Sequence, residues 1–386
     1  MKIGIVGGAL QGMEAVFLSK KAGFETLVID RKKSAPAMSI SDTYEVLDVT
    51  KDTERTKEAL LDCDVVIPAC EETEALKNLD KIMRHSEIPF LFDINAYNIS
   101  SSKKRSNEIM AKIGVPLPKP WPECGFPAVV KPSSQSGSIG VSAVNDIGEM
   151  DAALKIVSDL GDIPIIQEFV SGKSVSIEVI GRSGSARPLV TTEVVLDYNY
   201  DCKMVVCEPH ILPKEDDELF AEIGKKTAEA VGLDGLMDVE AIYTKKGLRV
   251  LEIDARIPSQ TPAAVWAATD INILEELVFS SMGRSTSKNS RNECSVYEHY
   301  IVENDSLTTC GEKIFGKVTE PRCESRFFGA DEAITDYAPG KSAWRATVIT
   351  KGKSPAEVLE KRKNFIRNVM EECELEEYMD RSPEMI

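Results

Sequence analysis

Two hydrophobic periods alternate along the first hundred residues. Short apolar runs predict buried strands, and a helical period predicts amphipathic helices between them. The strands are expected at Lys2 to Val6, Thr26 to Asp30, Val65 to Ala69 and Pro89 to Phe92, and the helices at Met13 to Ala22 and Thr73 to Arg84. Repeated strand–helix–strand units of this kind predict a parallel, doubly wound sheet.

A different pattern begins near residue 100. Ser102 to Ile113 predicts a helix that ends at Gly114, and the proline-rich stretch 115–127 predicts a loop. From Ala128 onward apolar runs are separated by short turns, which favours antiparallel pairing. The segment Pro355 to Met379 has the period of a charged amphipathic helix.

Composition limits the function classes. The 386 residues suggest two or three domains, and the net charge of −17 argues against nucleic acid or an anionic membrane as partner. The acidity suits cationic substrates, although an ordinary solvated acidic surface is the plainer interpretation. Nine cysteines without a CxxC pair, together with an N-terminus unlike a signal peptide, predict a cytoplasmic protein.

The first glycine-rich turn, Gly7 to Gly12, leaves several interpretations open. Its spacing is GGxxxG, and Asp30 stands where a dinucleotide-binding fold has a ribose-binding acid. An NAD-dependent oxidoreductase would follow from that alone. The free N–H groups of the helix start could instead hold a phosphate or a carboxylate, and a tight turn needed only for packing is equally compatible.

A loop of small residues follows an apolar strand at Ala128 to Gly140. The strand delivers Lys131, and small side chains let backbone N–H groups approach phosphate oxygens closely. No GK[ST] sequence closes the loop, so it is not a Walker loop. A flexible surface loop is the alternative.

The next apolar strand lies within Ile165 to Gly172. It breaks at the Ser-Gly pair that ends this segment and resumes at Val175 to Val179. A short extended segment of this type can offer backbone N–H and C=O groups to the edge of an adenine ring. An ordinary core strand remains the alternative.

Two alternating strands, Met237 to Tyr243 and Leu248 to Arg256, predict a β-hairpin. A three-residue loop, Lys245 to Gly247, with Gly247 in the left-handed conformation would place Glu240 opposite Glu252 and Asp238 opposite Asp254. Residues two apart share a face, so these four carboxylates and Arg256 would project together. Oxygen ligands of this kind suit Mg²⁺, whereas a solvated acidic face is the alternative.

Taken in order, these segments resemble the ATP-grasp superfamily. Lys104, Lys131, the Gln-Glu-Phe-Val segment from Gln167, and Glu240 with Glu252-x-Asp254-x-Arg256 carry the resemblance. It implies an α/β ATP-grasp fold with a Rossmann-like N-terminal domain (1–100), a small subdomain with the glycine-rich loop (101–175), and a large subdomain with a mixed or antiparallel C-terminal sheet (176–386). GGALQGMEA and LEIDARIPSQTP further resemble the pyrrolysine-biosynthesis ligases, which join 3-methyl-D-ornithine to L-lysine.

The resemblance also implies roles for individual residues. Lys131 and Arg256 would act in catalysis, and Glu240, Glu252 and Asp254 would bind Mg²⁺. ATP would be bound by Gln11, Gly12, Lys104, Lys131, Ser138, Gln167, Glu168, Phe169 and Val170. The amino-acid substrates would be bound by Leu10, Glu72, Ser176, Ile177, Glu178, Asp234, Arg256, Ser259, Gln260 and Thr261.

The implied activity is ATP-dependent amide formation through an acyl-phosphate. The carboxylate would come from 3-methyl-D-ornithine or D-ornithine, and the amine would be the ε-amine of L-lysine. Another ATP-grasp ligase, either D-alanine ligase-like or a carboxylating purine-pathway enzyme, is the nearest alternative; an NAD-dependent oxidoreductase and an ATP-binding regulatory module are more distant ones. The sequence leaves open the oligomeric state and the group that deprotonates the amine.

Overall fold

The structure, a computed structural model, describes residues 1–284 and 291–383. Its strands, in chain order, are β1 (Lys2–Val6), β2 (Glu25–Asp30), β3 (Thr43–Val46), β4 (Val65–Pro68), β5 (Ala128–Pro132), β6 (Ser142–Val144), β7 (Pro164–Glu168), β8 (Lys173–Arg182), β9 (Ser185–Leu196), β10 (Cys202–Cys207), β11 (Gly235–Thr244), β12 (Gly247–Asp254), β13 (Cys294–Glu303), β14 (Ser306–Thr309), β15 (Arg322–Ser325), β16 (Glu332–Thr335), β17 (Trp344–Gly352) and β18 (Glu377–Asp380).

The helices connect these strands. They are α1 (Leu10–Lys21), α2 (Pro36–Ile40), α3 (Thr53–Leu60), α4 (Thr73–Met83), α5 (Ile94–Ser100), α6 (Lys103–Lys112), α7 (Ile147–Asp159), α8 (Lys214–Val231), α9 (Thr261–Thr269), α10 (Ile273–Ser281) and α11 (Pro355–Glu372), with 3₁₀ turns at Glu312–Lys317 and Phe327–Gly329. None of the helices within the described ranges combines the length and apolar character needed to cross a bilayer.

The chain forms two compact units that are discontinuous in sequence. The first unit comprises Met1–Phe92, Val194–Ile211 and Ile257–Ile386, and the second comprises Asp93–Glu193 and Leu212–Arg256. The predicted division into three consecutive segments stays a prediction.

The first unit begins with a parallel sheet of order β3-β2-β1-β4. Ile3, Ile5, Val28 and Ile29 are fully buried in it, as the apolar runs predict. The strand predicted at Pro89 to Phe92 is wrong, because that segment meets β4 only at a single bridge, between Val66 and Phe90. The predicted parallel sheet is confirmed.

The rest of the first unit is an antiparallel sheet of order β10-β13-β17-β16-β15. Its core packs Trp344, Tyr300 and Phe365, the last of which lies on α11. The prediction that this helix reaches Met379 is wrong. It ends at Glu372, and after Glu374, with φ of 53°, the chain forms β18, which pairs in parallel with β14.

The second unit contains two antiparallel sheets. In the smaller, of order β6-β5-β7, Ala128 and Val130 pack against Val157 of α7. The larger has the order β12-β11-β8-β9, and Val179 of β8 approaches α8 at Gly224. The opposite face of β8, β11 and β12 carries the acidic residues described below. The α/β class with antiparallel sheets after the N-terminal parallel sheet is therefore confirmed.

Gly12 tests how tightly the first strand and helix pack. A Cβ atom at Gly12 would lie 2.0 Å from the carbonyl oxygen of Gly7, which is backbone and cannot rotate away. We expect Gly12→Ala to lower the free energy of unfolding, measured in urea, by about 1–3 kcal/mol. Gly316→Ala is the matched control, because a Cβ there meets nothing within 4 Å; it should change stability by less than about 0.5 kcal/mol. Equal effects of the two substitutions would refute the packing argument.

Candidate active site

The predicted acidic hairpin is formed by β11 and β12. Asp238 pairs with Asp254 and Glu240 with Glu252, as predicted. The predicted loop length is wrong, because the loop has two residues, Lys245 and Lys246, rather than three. A β-bulge restores the register: Ala241 pairs with Val250 and Glu240 with Glu252, so Leu251 is the extra residue. Gly247, with φ of +94°, has the predicted positive φ.

Strand β8 extends the acidic face on the other side of β11. Ser176 lies opposite Glu240, and Glu178 lies opposite Asp238. Both side chains are buried. Ile177 lies between them in sequence and therefore points to the other face, where it approaches Gly224 of α8. Ile177 can offer a ligand on the acidic face only its backbone.

Three cationic side chains lie among these acids. Lys131 donates from Nζ to the carbonyl oxygen of the bulge residue Leu251 at 3.1 Å. Lys103 Nζ lies 2.8 Å from Glu252 Oε2, and Arg256 lies 3.1 Å from Asp254 Oδ2. The bulge thus exposes a carbonyl group that holds Lys131, the lysine predicted to contact ATP phosphates, beside the hairpin.

The protonation pattern reflects an excess of acid. Burial, the Asp254 charge and other neighbouring carboxylates raise the pKa of Asp238 well above its usual value. Burial and the charges of Glu252 and Asp254 likewise raise the pKa of Glu240 to about 8. Burial also acts against ionisation of Glu252, but Lys103 and Lys131 outweigh it and hold its pKa below the usual range.

Divalent cations match this charge pattern. Within the described ranges, no group of His, Cys, Asp and Glu side chains is by itself arranged to hold a metal ion. Mg²⁺ commonly takes only one or two carboxylates from the protein and completes its shell with water and substrate phosphates. Asp238 Oδ1 is buried with no hydrogen-bond partner among the described residues, and protonation keeps Glu240 neutral near pH 7. The donor types and the acid excess fit a hard cation.

Sequence reasoning missed Lys103. Its ammonium group contacts Glu252, whereas the neighbouring Lys104, predicted to bind ATP, has an exposed side chain and donates its backbone N–H to Ser133 Oγ. A signal was present in the helix period. Ser106 and Met110, three and seven positions after Lys103, are fully buried, which places Lys103 on the inward face of α6.

The predicted adenine segment ends β7. Gln167 is buried, and Glu168 Oε2 accepts a hydrogen bond from the Lys119 N–H at 3.2 Å. Phe169 donates its N–H to Pro127 O, and Val170 follows it. The side chain of Glu168 is therefore already engaged by a hydrogen bond within the second unit.

The residue predicted to cover the phosphates, Ser138, has a φ of 58° and is exposed in the loop between β5 and β6.

The first unit holds the candidates near the glycine turn. Leu10, Gln11 and Gly12 form the first turn of α1, where Gln11 Nε2 donates to Glu71 Oε1 at 2.9 Å. The carboxylate of Glu72 caps α4, accepting from the N–H groups of Glu74 and Ala75. These two bonds give Glu72 a structural role as the N-cap of α4.

Asp30 has a structural task in the same unit. Its two carboxylate oxygens accept hydrogen bonds from the Gly8 and Lys32 N–H groups, each at 2.7 Å. These bonds tie the end of β2 to the glycine turn, which removes the main support for a ribose-binding acid.

The remaining candidates lie in separate places. Ser259, Gln260 and Thr261 form a turn at the start of α9 in the first unit, and Gln260 and Thr261 are buried. Asp234 lies in the second unit at the start of β11, half exposed and 2.7 Å from Arg182 NH1. Asp234 is therefore already engaged in an ion pair with Arg182.

Comparisons with known sequences identify the family of this chain. A family model described as an ATP-grasp domain matches residues 100–260. The chain is 35% identical over 317 residues to the 3-methyl-D-ornithine–L-lysine ligase of Methanosarcina acetivorans, covering 80% of this chain and 82% of that protein. The ligase of the same name from Methanosarcina barkeri is 36% identical over 313 residues, with coverage of 80% and 82%. The chain belongs to the 3-methyl-D-ornithine–L-lysine ligase family of ATP-grasp enzymes.

Solved structures extend the likeness in fold to more distant ATP-grasp proteins. An N5-carboxyaminoimidazole ribonucleotide synthetase, crystallised as an ADP complex, superposes with a TM-score of 0.71. The match covers 96% of this chain and 97% of that one at 17% sequence identity, so it shows the fold alone. The predicted ATP-grasp fold is thereby confirmed for this ligase-family member.

Lys103 provides a test of the acidic face. Replacing it in Lys103→Met leaves the partly buried Glu252 carboxylate without its 2.8 Å partner, and we expect the free energy of unfolding at pH 7 to fall by about 2 kcal/mol. Because the folded-state pKa of Glu252 is lowered, the stability it contributes is present above its unfolded pKa and is lost as the pH falls through the folded value. The difference from wild type should therefore shrink towards pH 4.

Lys104→Met is the matched control for that measurement, because its side chain is exposed and lies next in sequence. It should change the unfolding free energy by less than about 0.5 kcal/mol. Urea titrations at pH 7 and pH 4 give both comparisons. A Lys103→Met variant that loses the same stability at both pH values would contradict the electrostatic account.

Proposed function

We propose that this chain is an ATP- and Mg²⁺-dependent ligase that joins the carboxylate of 3-methyl-D-ornithine, or D-ornithine, to the ε-amine of L-lysine. The observation that carries the proposal is the acidic face of β8, β11 and β12 in a chain of this ligase family. Lys103, Lys131 and Arg256 accompany its carboxylates. The amino-acid identities come from the Methanosarcina relatives, whose names specify them.

ATP binding is assigned mainly to the second unit. Lys131 and Lys104, with the newly recognised Lys103, would offset phosphate charge, and Ser138 would cover the phosphates from its loop. The adenine would meet the backbone of Gln167 to Val170. Gln11 and Gly12 are retained as further ATP candidates in the first unit.

The acidic hairpin is assigned to metal binding. Glu240, Glu252 and Asp254 would hold Mg²⁺, which supplies charge neutralisation of the transferring phosphoryl group. Glu240 must lose its proton to act as a ligand, because burial and its neighbours raise its pKa to about 8. Metal uptake would therefore release a proton near neutral pH.

The chemistry needs positioning more than covalent participation by the protein. A carboxylate oxygen of the ornithine substrate attacks the γ-phosphorus of ATP, ADP leaves, and an acyl-phosphate forms. The lysine ε-amine then attacks the acyl carbon; phosphate leaves, and the amine loses a proton. Arg256, beside Asp254, would stabilise the oxyanion that develops on the acyl oxygen.

Substrate recognition is assigned to polar groups in each unit. In the second unit, Glu178 and Ser176, with the backbone of Ile177, would bind an ammonium group; Arg256 would bind a carboxylate, and Asp234 is a more peripheral candidate. In the first unit, the candidates are Leu10, Glu72, Ser259, Gln260 and Thr261.

ADP release tests the reaction directly. The protein is incubated with Mg·ATP, L-lysine and D-ornithine, and each component is omitted in turn. We expect release that requires both amino acids, together with a new lysine–ornithine amide detected by mass spectrometry. Tight Mg·ATP binding without release would discard the substrate assignment while keeping the nucleotide site.

Glu252→Gln tests the metal assignment in the same assay. The neutral amide is a poorer Mg²⁺ ligand, so we expect turnover to fall by about 100-fold or more. Glu193→Gln is the control, because Glu193 forms a partly exposed ion pair with Lys173, 2.7 Å away. It should keep turnover within about twofold. Unchanged turnover in Glu252→Gln would remove this residue from the metal site.

Glu178→Gln tests ammonium recognition. Glu178 is fully buried beside Asp238, and loss of its carboxylate should weaken binding of the ornithine-type substrate by about tenfold in an isothermal titration. Mg·ATP affinity serves as the internal control and should not change. Normal affinity for the amino acid would exclude Glu178 from its binding.

A further inference from the structure

The turn that precedes α9 has an unusual backbone. Gln260 adopts φ of 72° and ψ of −60°, and the Thr261 N–H bonds the carbonyl oxygen of Ser259 at 2.9 Å. An i to i+2 hydrogen bond around these angles defines the rarer, strained form of the γ-turn. A non-glycine residue keeps such a conformation only where its surroundings enforce it.

Two carboxylates hold this turn. The backbone N–H of Gln260 donates to Glu14 Oε2. Its side-chain Nε2 donates to Glu312 Oε2 at 2.8 Å, and the same oxygen accepts from Ser259 Oγ at 2.9 Å. Glu14 and Glu312 thus fix the backbone and the side chain of the turn separately.

Glu14 is a buried glutamate of the first unit. It lies on α1, is 1% exposed, and accepts a second hydrogen bond from the Tyr297 hydroxyl on β13. Burial raises the pKa of Glu14 to about 8, although the bonds from Tyr297 and Gln260 oppose that rise. A buried carboxyl group of this kind is costly to keep, and packing alone would be served by an apolar residue.

The turn also presents two polar atoms that the described residues leave unsatisfied. Gln260 Oε1 and Thr261 Oγ1 are buried and have no hydrogen-bond partner among those residues. Gln260 is only 2% exposed and Thr261 only 6% exposed. Buried polar atoms are normally paired, so a bound polar group is the natural partner for these two.

We propose that Glu14 is a positioning residue that holds the strained turn at Gln260 in the conformation that binds an amino-acid substrate. The inference rests on the proposed function, in which Ser259, Gln260 and Thr261 bind one of the two amino acids. Without the acceptor at Glu14, the inward-facing N–H of Gln260 is buried and unpaired, and the turn relaxes. The binding-competent conformation then becomes a minor one, which raises the apparent dissociation constant in proportion.

The test is steady-state kinetics of the full chain with Mg·ATP, L-lysine and D-ornithine. Glu14→Ala should raise the KM for one amino acid by about tenfold or more, because the competent turn falls below about a tenth of the population. Saturation restores that conformation, so kcat and the KM for ATP should stay within about twofold. A uniform fall in all parameters, or an unchanged KM for both amino acids, would overturn the inference.

Two further substitutions of Glu14 decide whether the acceptor is what matters. Glu14→Gln keeps a carbonyl oxygen for the Gln260 N–H and an amide for Tyr297, so it should restore the KM to within about threefold of wild type. A Glu14→Gln variant as impaired as Glu14→Ala would overturn the inference. Glu14→Asp withdraws the carboxylate by one methylene; if Glu14→Ala does not fold, a raised KM in Glu14→Asp supports the inference and an unchanged KM overturns it.

Glu298 offers a matched control in the same unit. It is also a buried glutamate, and it accepts from the hydroxyl of Tyr300 at 2.8 Å and from Arg362. Glu298→Gln should lower the thermal midpoint without changing either amino-acid KM. The same KM increase in Glu298→Gln would identify a general loss of stability and overturn the inference.

The assay also separates this inference from the proposed function. If the wild-type protein gives no turnover, the proposed function fails and this inference fails with it. Turnover with a normal KM in the Glu14 variants overturns the inference alone.

Discussion

Electrostatic crowding on one sheet face is the constraint on which the second unit depends. Strands β8, β11 and β12 align Glu178, Asp238, Glu240, Glu252 and Asp254 on that face. Like charges directly opposite each other destabilise a sheet, and burial strengthens the repulsion. The protein offsets it with lysine and arginine side chains, and the crowding raises the pKa of Asp238 well above its usual value and that of Glu240 to about 8. A divalent cation would offset the negative charge of the face.

Backbone irregularities make this arrangement possible. The bulge at Leu251 lets a two-residue loop coexist with the register that pairs Glu240 with Glu252. It also frees the Leu251 carbonyl to accept from Lys131, which anchors the phosphate lysine to the hairpin. A second register shift lies beside Glu178, between Ile177 and Val179 on the β9 side. Bulges often occur next to active sites, because they redirect individual side chains without ending the sheet.

The first unit uses its acidic residues differently. Glu14 accepts hydrogen bonds from a backbone N–H and a tyrosine hydroxyl, and Asp30 ties the glycine turn to β2. In both cases the carboxylate fixes a backbone turn. A sequence motif of glycines and an acid therefore cannot separate a ribose-binding role from this structural one, because the same residue types serve both.

Local sequence patterns were enough to predict the parallel N-terminal sheet, the hairpin and the acids that lie opposite each other, since strand period and apolar runs are local properties. It also carried the ATP-grasp likeness, which the relatives confirm. The choice of Lys103 over Lys104 as the partner of Glu252 was missed although the helix period of α6 pointed to it, because one residue on a helix rotates a side chain by about 100°. Three further features came only from the folded chain: the bulge at Leu251, the end of α11 at Glu372 and the hydrogen bond between Gln260 and Glu14. Each depends on a departure from regular structure or on residues distant in sequence. No local pattern encodes such contacts, since packing between elements selects them.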